Sequence, residues 1–241
     1  MSFRQDELVG NKLALIGAIV YLLEWVAILA AGDSGPVLPG TSVTETVQTY
    51  ADGAGGQAWM ASWFSLVLIG RIALAVGIRD AFRRFPRQLP FADLAVGAMV
   101  VSVVLEIGAY AVAGGAGYLA DQGGEPTVIV ALDAAASWLN LLIFAPLGVA
   151  ITALSWAMLR SGLFPSWMSW LGLFAGVLGM AGGVLGGPAF GTGGLFDVTD
   201  GLTSVAGVAF WIWMIAVGIR LYRRTPRAGS VGTSPGAATS G

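Results

Sequence analysis

The stretch LALIGAIVYLLEWVAILAA, residues 13–31, decides the fold. It is an unbroken apolar run, and about 20 such residues cross the hydrocarbon core of a bilayer as one helix. Its single charge, Glu24, lies well inside the run. A charge at that depth costs at least about 2.5 kcal/mol, so it calls for a partner or a task. Runs of the same kind recur at 57–78, 94–116, 127–159, 167–187 and 202–221. Two of them also carry an internal charge, Arg71 and Glu106. Lipid offers backbone amides no partners, so these runs must be helices. Barrel strands would be shorter and would alternate, which nothing here does. The reading is an all-α polytopic membrane protein, a bundle of six transmembrane helices. The fourth run exceeds one upright crossing, so it tilts, protrudes, or bends at Pro146.

Composition agrees. Of the 241 residues, 56% are hydrophobic and 11% charged, against about 25% charged in soluble domains. With no cysteine, the chain has no disulfide, thiol nucleophile or iron–sulfur ligand. With no histidine, it has no His-ligated haem, His-based zinc site or histidine general base. No cofactor, metal or nucleic-acid partner is expected, and the bilayer is the expected surround.

Basic residues set the orientation. Arg4 and Lys12 precede the first run, and Arg79, Arg83, Arg84 and Arg87 lie between the second and third. Arg160 lies between the fourth and fifth, and Arg220, Arg223, Arg224 and Arg227 close the sixth. With six crossings, all of these share one side. The opposite loops hold acids alone: Asp33, Glu45, Asp52, Asp121, Glu125, Asp197 and Asp200. Both termini are therefore expected in the cytoplasm. Residues 1–12 read as a cytoplasmic lead-in, 13–224 as the membrane domain and 225–241 as a disordered tail. The first run is too long, and Glu24 too awkward within it, for a cleaved leader.

Smaller features follow. Val43, Val47 and Tyr50 recur at helical spacing in the longest outer loop, which predicts a short surface helix. The stretch GTGGLFDVTD, 191–200, reads as a glycine-rich outer turn, and it lacks the ending of a phosphate loop. In the fifth run, Ala175, Gly179, Gly183 and Gly187 recur every fourth residue, and Gly172 and Gly176 form a second such pair. Small residues at this spacing let helices approach closely. Packing inside the monomer is the first expectation, and a homodimer through the fifth helix the second. Trp59, Trp63, Trp156, Trp167 and Trp170 suit the membrane interfaces, whereas Trp211 and Trp213 lie deeper.

The three internal charges align in depth. At 1.5 Å per residue, Glu24 lies about 18 Å beyond Lys12, Glu106 about 20 Å beyond Asp93, and Arg71 about 12 Å beyond Arg79. Side chains lean toward the helix N-terminus, and the second helix runs opposite to the first and third. Arg71 therefore leans toward the two glutamates, and all three heads meet in one layer. One guanidinium neutralises one carboxylate, so the second acid is expected to hold or share a proton. Such a cluster either locks helix register or couples to protons. Asp133 should lie near the outer interface, with Ser137 and Asn140 beside it as a candidate polar cleft. The match of Leu23-Glu24-x-x-Ala27 to Leu105-Glu106-x-x-Ala109, extended through Ala31-Gly32 and Ala113-Gly114, hints at a duplicated hairpin.

Three stretches carry a resemblance: TETVQTYADGAGGQ at 44–57, RDAFRR at 79–84, and RSGLFPSWMSWLGLFAGVL at 160–178. The last holds Arg160, Gly162, Pro165, Trp167, Trp170 and Gly172 in the form R-x-G-x-x-P-x-W-x-x-W-x-G. The chain resembles a group of uncharacterised actinobacterial integral membrane proteins. The resemblance implies six helices and a plasma-membrane location, and brings no activity. A non-enzymatic scaffold, sensor or partner subunit is the first functional expectation. A proton-coupled small-solute carrier using Glu24 and Glu106 is the alternative, and an intramembrane enzyme a distant third.

Overall fold

A computed structural model describes the backbone over 2–31, 41–189 and 193–224, and the side chains over 10–31, 41–187 and 201–224. The described residues form ten helices and no strand. The first crossing is α1 (Ser2–Leu22) followed by α2 (Glu24–Ala31). A surface helix α3 (Val43–Asp52) leads to the second crossing, α4 (Ala54–Val67) and α5 (Ile69–Ala81). Then α6 (Leu89–Asp121) crosses alone. The fourth crossing is α7 (Pro126–Leu142) with α8 (Phe144–Ser161), the fifth is α9 (Ser166–Ala189), and the sixth is α10 (Gly193–Arg223). Six helical stretches are long and apolar enough to span a membrane, from Gly10–Ala31 to Gly201–Arg223. The protein is a multi-pass membrane protein.

Each crossing packs against the next in sequence, and α10 returns to α1, so the bundle closes as a ring. Glycine sets the closeness of several contacts. A Cβ placed on Gly17 would lie 2.5 Å from the Gly70 carbonyl oxygen, and one on Gly70 would lie 2.5 Å from that of Gly17. Backbone thus meets backbone between the first and second crossings, one turn from the charged layer. The glycines of α9 are used in the same way. Gly176 and Gly183 meet α8 at Thr152 and Ala145, Gly172 meets Ser155 and Trp213, and Gly187 faces Trp138. Gly179 lies between Phe144 and Ala206. The monomer itself therefore occupies the small-residue ridge.

The fourth crossing breaks at Ile143, three residues before Pro146, where the missing N–H and the ring interrupt the ladder. The short helix α3 is capped by Ser42, whose hydroxyl accepts from the Glu45 amide at 3.3 Å. It buries Thr46 and Tyr50 against α6 and α7. One expectation is corrected. Residues 193–200 are not a turn but the first part of α10. The segment LFDVTD contains no helix breaker, so the helix persists past the apolar run. The tail 225–241 and residues 190–192 lie outside the described residues.

Candidate functional site

The charged layer sits where two crossings lose regular helix geometry. In the first, the amide of Leu23 bonds to the Val20 carbonyl at 3.1 Å and that of Val26 to the Leu23 carbonyl at 3.1 Å. These are three-residue spacings, the tighter 3₁₀ pattern. Neither proline nor glycine stands at the break. Instead the Trp63 indole N–H donates to the Leu23 carbonyl at 2.8 Å, a side chain inserted beside the ladder. In the second crossing the Arg71 amide reaches the Leu68 carbonyl at 3.0 Å, again three residues back. Glu24 directly follows the first break and Arg71 closely follows the second, so both breaks aim their side chains into the layer.

The sequence-derived trio is brought together, with an internal division. The Arg71 guanidinium donates to the Glu106 carboxylate through Nη2. Arg71 is 1% exposed and the Glu106 side chain 12%, so the ion pair is removed from water. Glu24, 3% exposed, accepts instead from the Trp211 indole of α10 at 3.0 Å. The Arg71 guanidinium carbon lies 5.1 Å from the Tyr21 ring centre. That is cation–π distance, and a cation stacked on an aromatic face is held without water. Tyr110, one turn past Glu106, faces the same charges and packs edge-on against Phe64, with ring centres 4.3 Å apart. The Arg71 Nε–H is buried without a partner. Four crossings therefore share one polar layer: the first through Tyr21 and Glu24, the second through Arg71, the third through Glu106 and Tyr110, and the sixth through Trp211.

Arg79 Nε donates to Asp93 at 2.8 Å, which fixes the arginine-bearing ends of the second and third crossings at one level. From that level Arg71 rises about 12 Å and Glu106 about 20 Å, and two long side chains leaning toward each other span the difference.

Asp133 lies outside this layer. It accepts from the Tyr50 hydroxyl at 2.9 Å and so fastens α3 to α7. Burial, and then the neighbouring Asp133 carboxylate, push the Tyr50 phenol above its ordinary range. Ser137 and Asn140 follow at helical spacing on α7 and are half-buried, as is Asp133. Trp213 is fully buried against Phe210, as its depth foretold.

Sequence reasoning missed Trp211, Tyr21 and Tyr110 as members of the layer. A usable signal existed for Trp211, because a buried indole N–H needs an acceptor and Glu24 is the carboxylate that α10 meets when it packs on the first crossing.

The comparisons place the chain. It belongs to a family defined by a domain of unknown function, DUF4386, whose model matches residues 14–218. That match reaches into all six crossings and takes in the whole charged layer. No curated protein and no solved structure matches the chain.

Proposed function

We propose that this protein is a non-enzymatic membrane component, a scaffold, sensor or partner subunit, in which the Glu24–Arg71–Glu106 layer locks four helices in register. The observation that carries this reading is the division of the layer. Arg71 and Glu106 pair out of water, while the Trp211 indole engages Glu24. A charge so enclosed resists sliding of any one helix, because a shift of one turn would strand it in lipid. The arginines at one end of every crossing favour a plasma-membrane protein with both termini in the cytoplasm, and the actinobacterial assignment rests on the sequence resemblance alone. Since the α9 glycines are used inside the monomer, a homodimer through that helix would use its outward face, Phe174, Val177 and Val184.

One observation favours a second reading, a proton-coupled carrier of small solutes. The layer holds two acids against one base, and a helix break adjoins each of Glu24 and Arg71. Solute uptake by proteoliposomes under an imposed pH gradient separates the two. A scaffold or sensor leaves uptake of amino acids, sugars and small ions at the level of protein-free vesicles. Uptake of any of them that follows the gradient makes the protein a carrier.

A further inference from the structure

The first crossing changes neighbours at its break. Before Leu23, α1 packs along α10. Beyond it, α2 packs along α4 and, among the described residues, forms no comparable seam with α10. The first and sixth crossings therefore part just beyond the charged layer, toward the end of the bundle that bears no arginine. Their facing surfaces stay uncovered. On α10 the face that carries Trp211 continues at helical spacing through Val208, Gly207 and Ser204. Val208 is 52% exposed, Ser204 is exposed, and a Cβ on Gly207 would meet nothing within 4 Å. On α2, Trp25 and Leu29 stand one turn apart, and both are exposed. The floor of this cleft is Trp25 edge-on against Trp211, ring centres 4.7 Å apart, with Glu24 on the Trp211 indole.

Charge decides what such a cleft takes. Arg71 pairs with Glu106, and one guanidinium neutralises one carboxylate. With both acids ionised, the layer carries one unbalanced negative charge, at Glu24. The other titratable groups that face it are Tyr21 on its own crossing and Tyr110 on α6, and neither is a cation. α4 has no charged residue, and α10 brings the Trp211 indole at this level. At the open end the sequence adds acids alone: Asp33 just past α2, and Asp197 and Asp200 in the first part of α10. A cation approaching from that end therefore moves toward negative charge throughout. A metal ion needs several oxygen ligands, whereas the floor offers one carboxylate among indoles. Tryptophan faces hold a cation within about 6 Å of the ring centre, and hold it best where water is excluded.

We propose that the α2–α10 cleft binds a lipophilic organic monocation, such as a quaternary ammonium or phosphonium, with Glu24 as counter-ion and Trp25 and Trp211 as its aromatic contacts. A cation and a proton are alternative ways of neutralising Glu24. The cation that meets the protonated carboxyl displaces its proton to solvent and leaves a carboxylate–cation pair. This names a ligand class for the sensor form of the proposed function and rests on that reading.

The test dialyses the full chain, in maltoside detergent, to equilibrium against labelled tetraphenylphosphonium, with protein-free micelles subtracted. One cation per chain is expected, with about one proton released in weak buffer and an affinity that rises with pH by up to about tenfold per unit. Tetraphenylborate, of the same shape and opposite charge, should not bind. Glu24→Gln, shown to be folded by circular dichroism, should lose binding. Trp25 is 38% exposed, so its variants keep the fold. Trp25→Ala should weaken binding about 2- to 30-fold, the range of a cation–π contact, and Trp25→Phe less. Trp170→Ala, an exposed tryptophan on α9, should bind as the parent does. Absence of binding, equal binding of the borate, binding that ignores pH, or full binding by folded Glu24→Gln each overturns the proposal. Should binding fail while the Arg71–Glu106 pair still couples in unfolding, this ligand class is wrong and the lock stands. Should both fail, the proposed function falls with it.

Discussion

Removal of Arg71 should be more damaging than removal of Arg71 and Glu106 together. In Arg71→Met the Glu106 carboxylate, 12% exposed, loses its partner. Breaking a buried pair from one side costs about 3–5 kcal/mol, because the remaining charge stays uncompensated. Glu106→Gln strands Arg71, which is 1% exposed, at a similar cost. The double variant Arg71→Met/Glu106→Gln buries no unpaired charge from this pair and should lie within about 1 kcal/mol of the parent. The coupling energy then reaches about 5 kcal/mol or more, above the usual range of about 0.5–3 kcal/mol for contacting residues. A neutral hydrogen bond between membrane helices gives roughly 0.6 kcal/mol, so the two cases are well separated. The assay is reversible unfolding from mild detergent by added dodecyl sulfate, followed by helical circular dichroism for the four proteins. Additive losses, or single variants within about 1 kcal/mol of the parent, would refute the lock.

Further outcomes follow from other contacts. Gly17→Val pushes a side chain into the Gly70 backbone and should cost about 1–3 kcal/mol or more in the same unfolding assay. Gly207→Ala meets nothing within 4 Å and should be neutral or gain up to about 1 kcal/mol. Trp211→Phe removes the indole donor to Glu24 and should cost about 1–3 kcal/mol, recovered in part by Glu24→Gln in the same chain. Tyr50 is raised in the fold, so its contribution is full below the ordinary tyrosine value of 10.0 and is lost as pH rises through the folded value. At about pH 11, where free tyrosine is largely ionised, parent and Tyr50→Phe should show equal phenolate absorbance. One extra phenolate in the parent would contradict the burial. The chain lacks cysteine, so single probes report topology cleanly. Pro86→Cys should be shielded from an impermeant thiol reagent in intact cells and Gln122→Cys labelled, and the reverse would invert the orientation.

Run length and the cost of a buried charge are local properties, which is why the six crossings and the Glu24–Arg71–Glu106 layer were legible in the sequence. Helix direction supplied the rest, since Arg71 leans against the lean of the two glutamates. The partners of the layer were hidden for the opposite reason. Trp211 reaches Glu24 across 187 positions, and only closure of α10 on the first crossing brings them together. The breaks at Leu23 and Leu68 carry no proline, and at Leu23 the Trp63 indole donates to the carbonyl beside the break. The Gly17–Gly70 contact takes one glycine from each of two helices, so no spacing within a single helix reveals it. The dense glycine row of α9 was visible, but which neighbour it faces was not. The helical 193–200 segment shows polarity misleading the eye, because a helix continues beyond the apolar run wherever nothing breaks it.

The most direct test of the lock is proton flux through the purified protein in liposomes carrying a trapped pH-sensitive dye, comparing the parent with Glu24→Gln after both are shown to be folded. The account predicts that an imposed pH gradient decays at the rate of protein-free vesicles in both. A faster decay in the parent that disappears in folded Glu24→Gln would contradict it and make the proton of this layer a moving one.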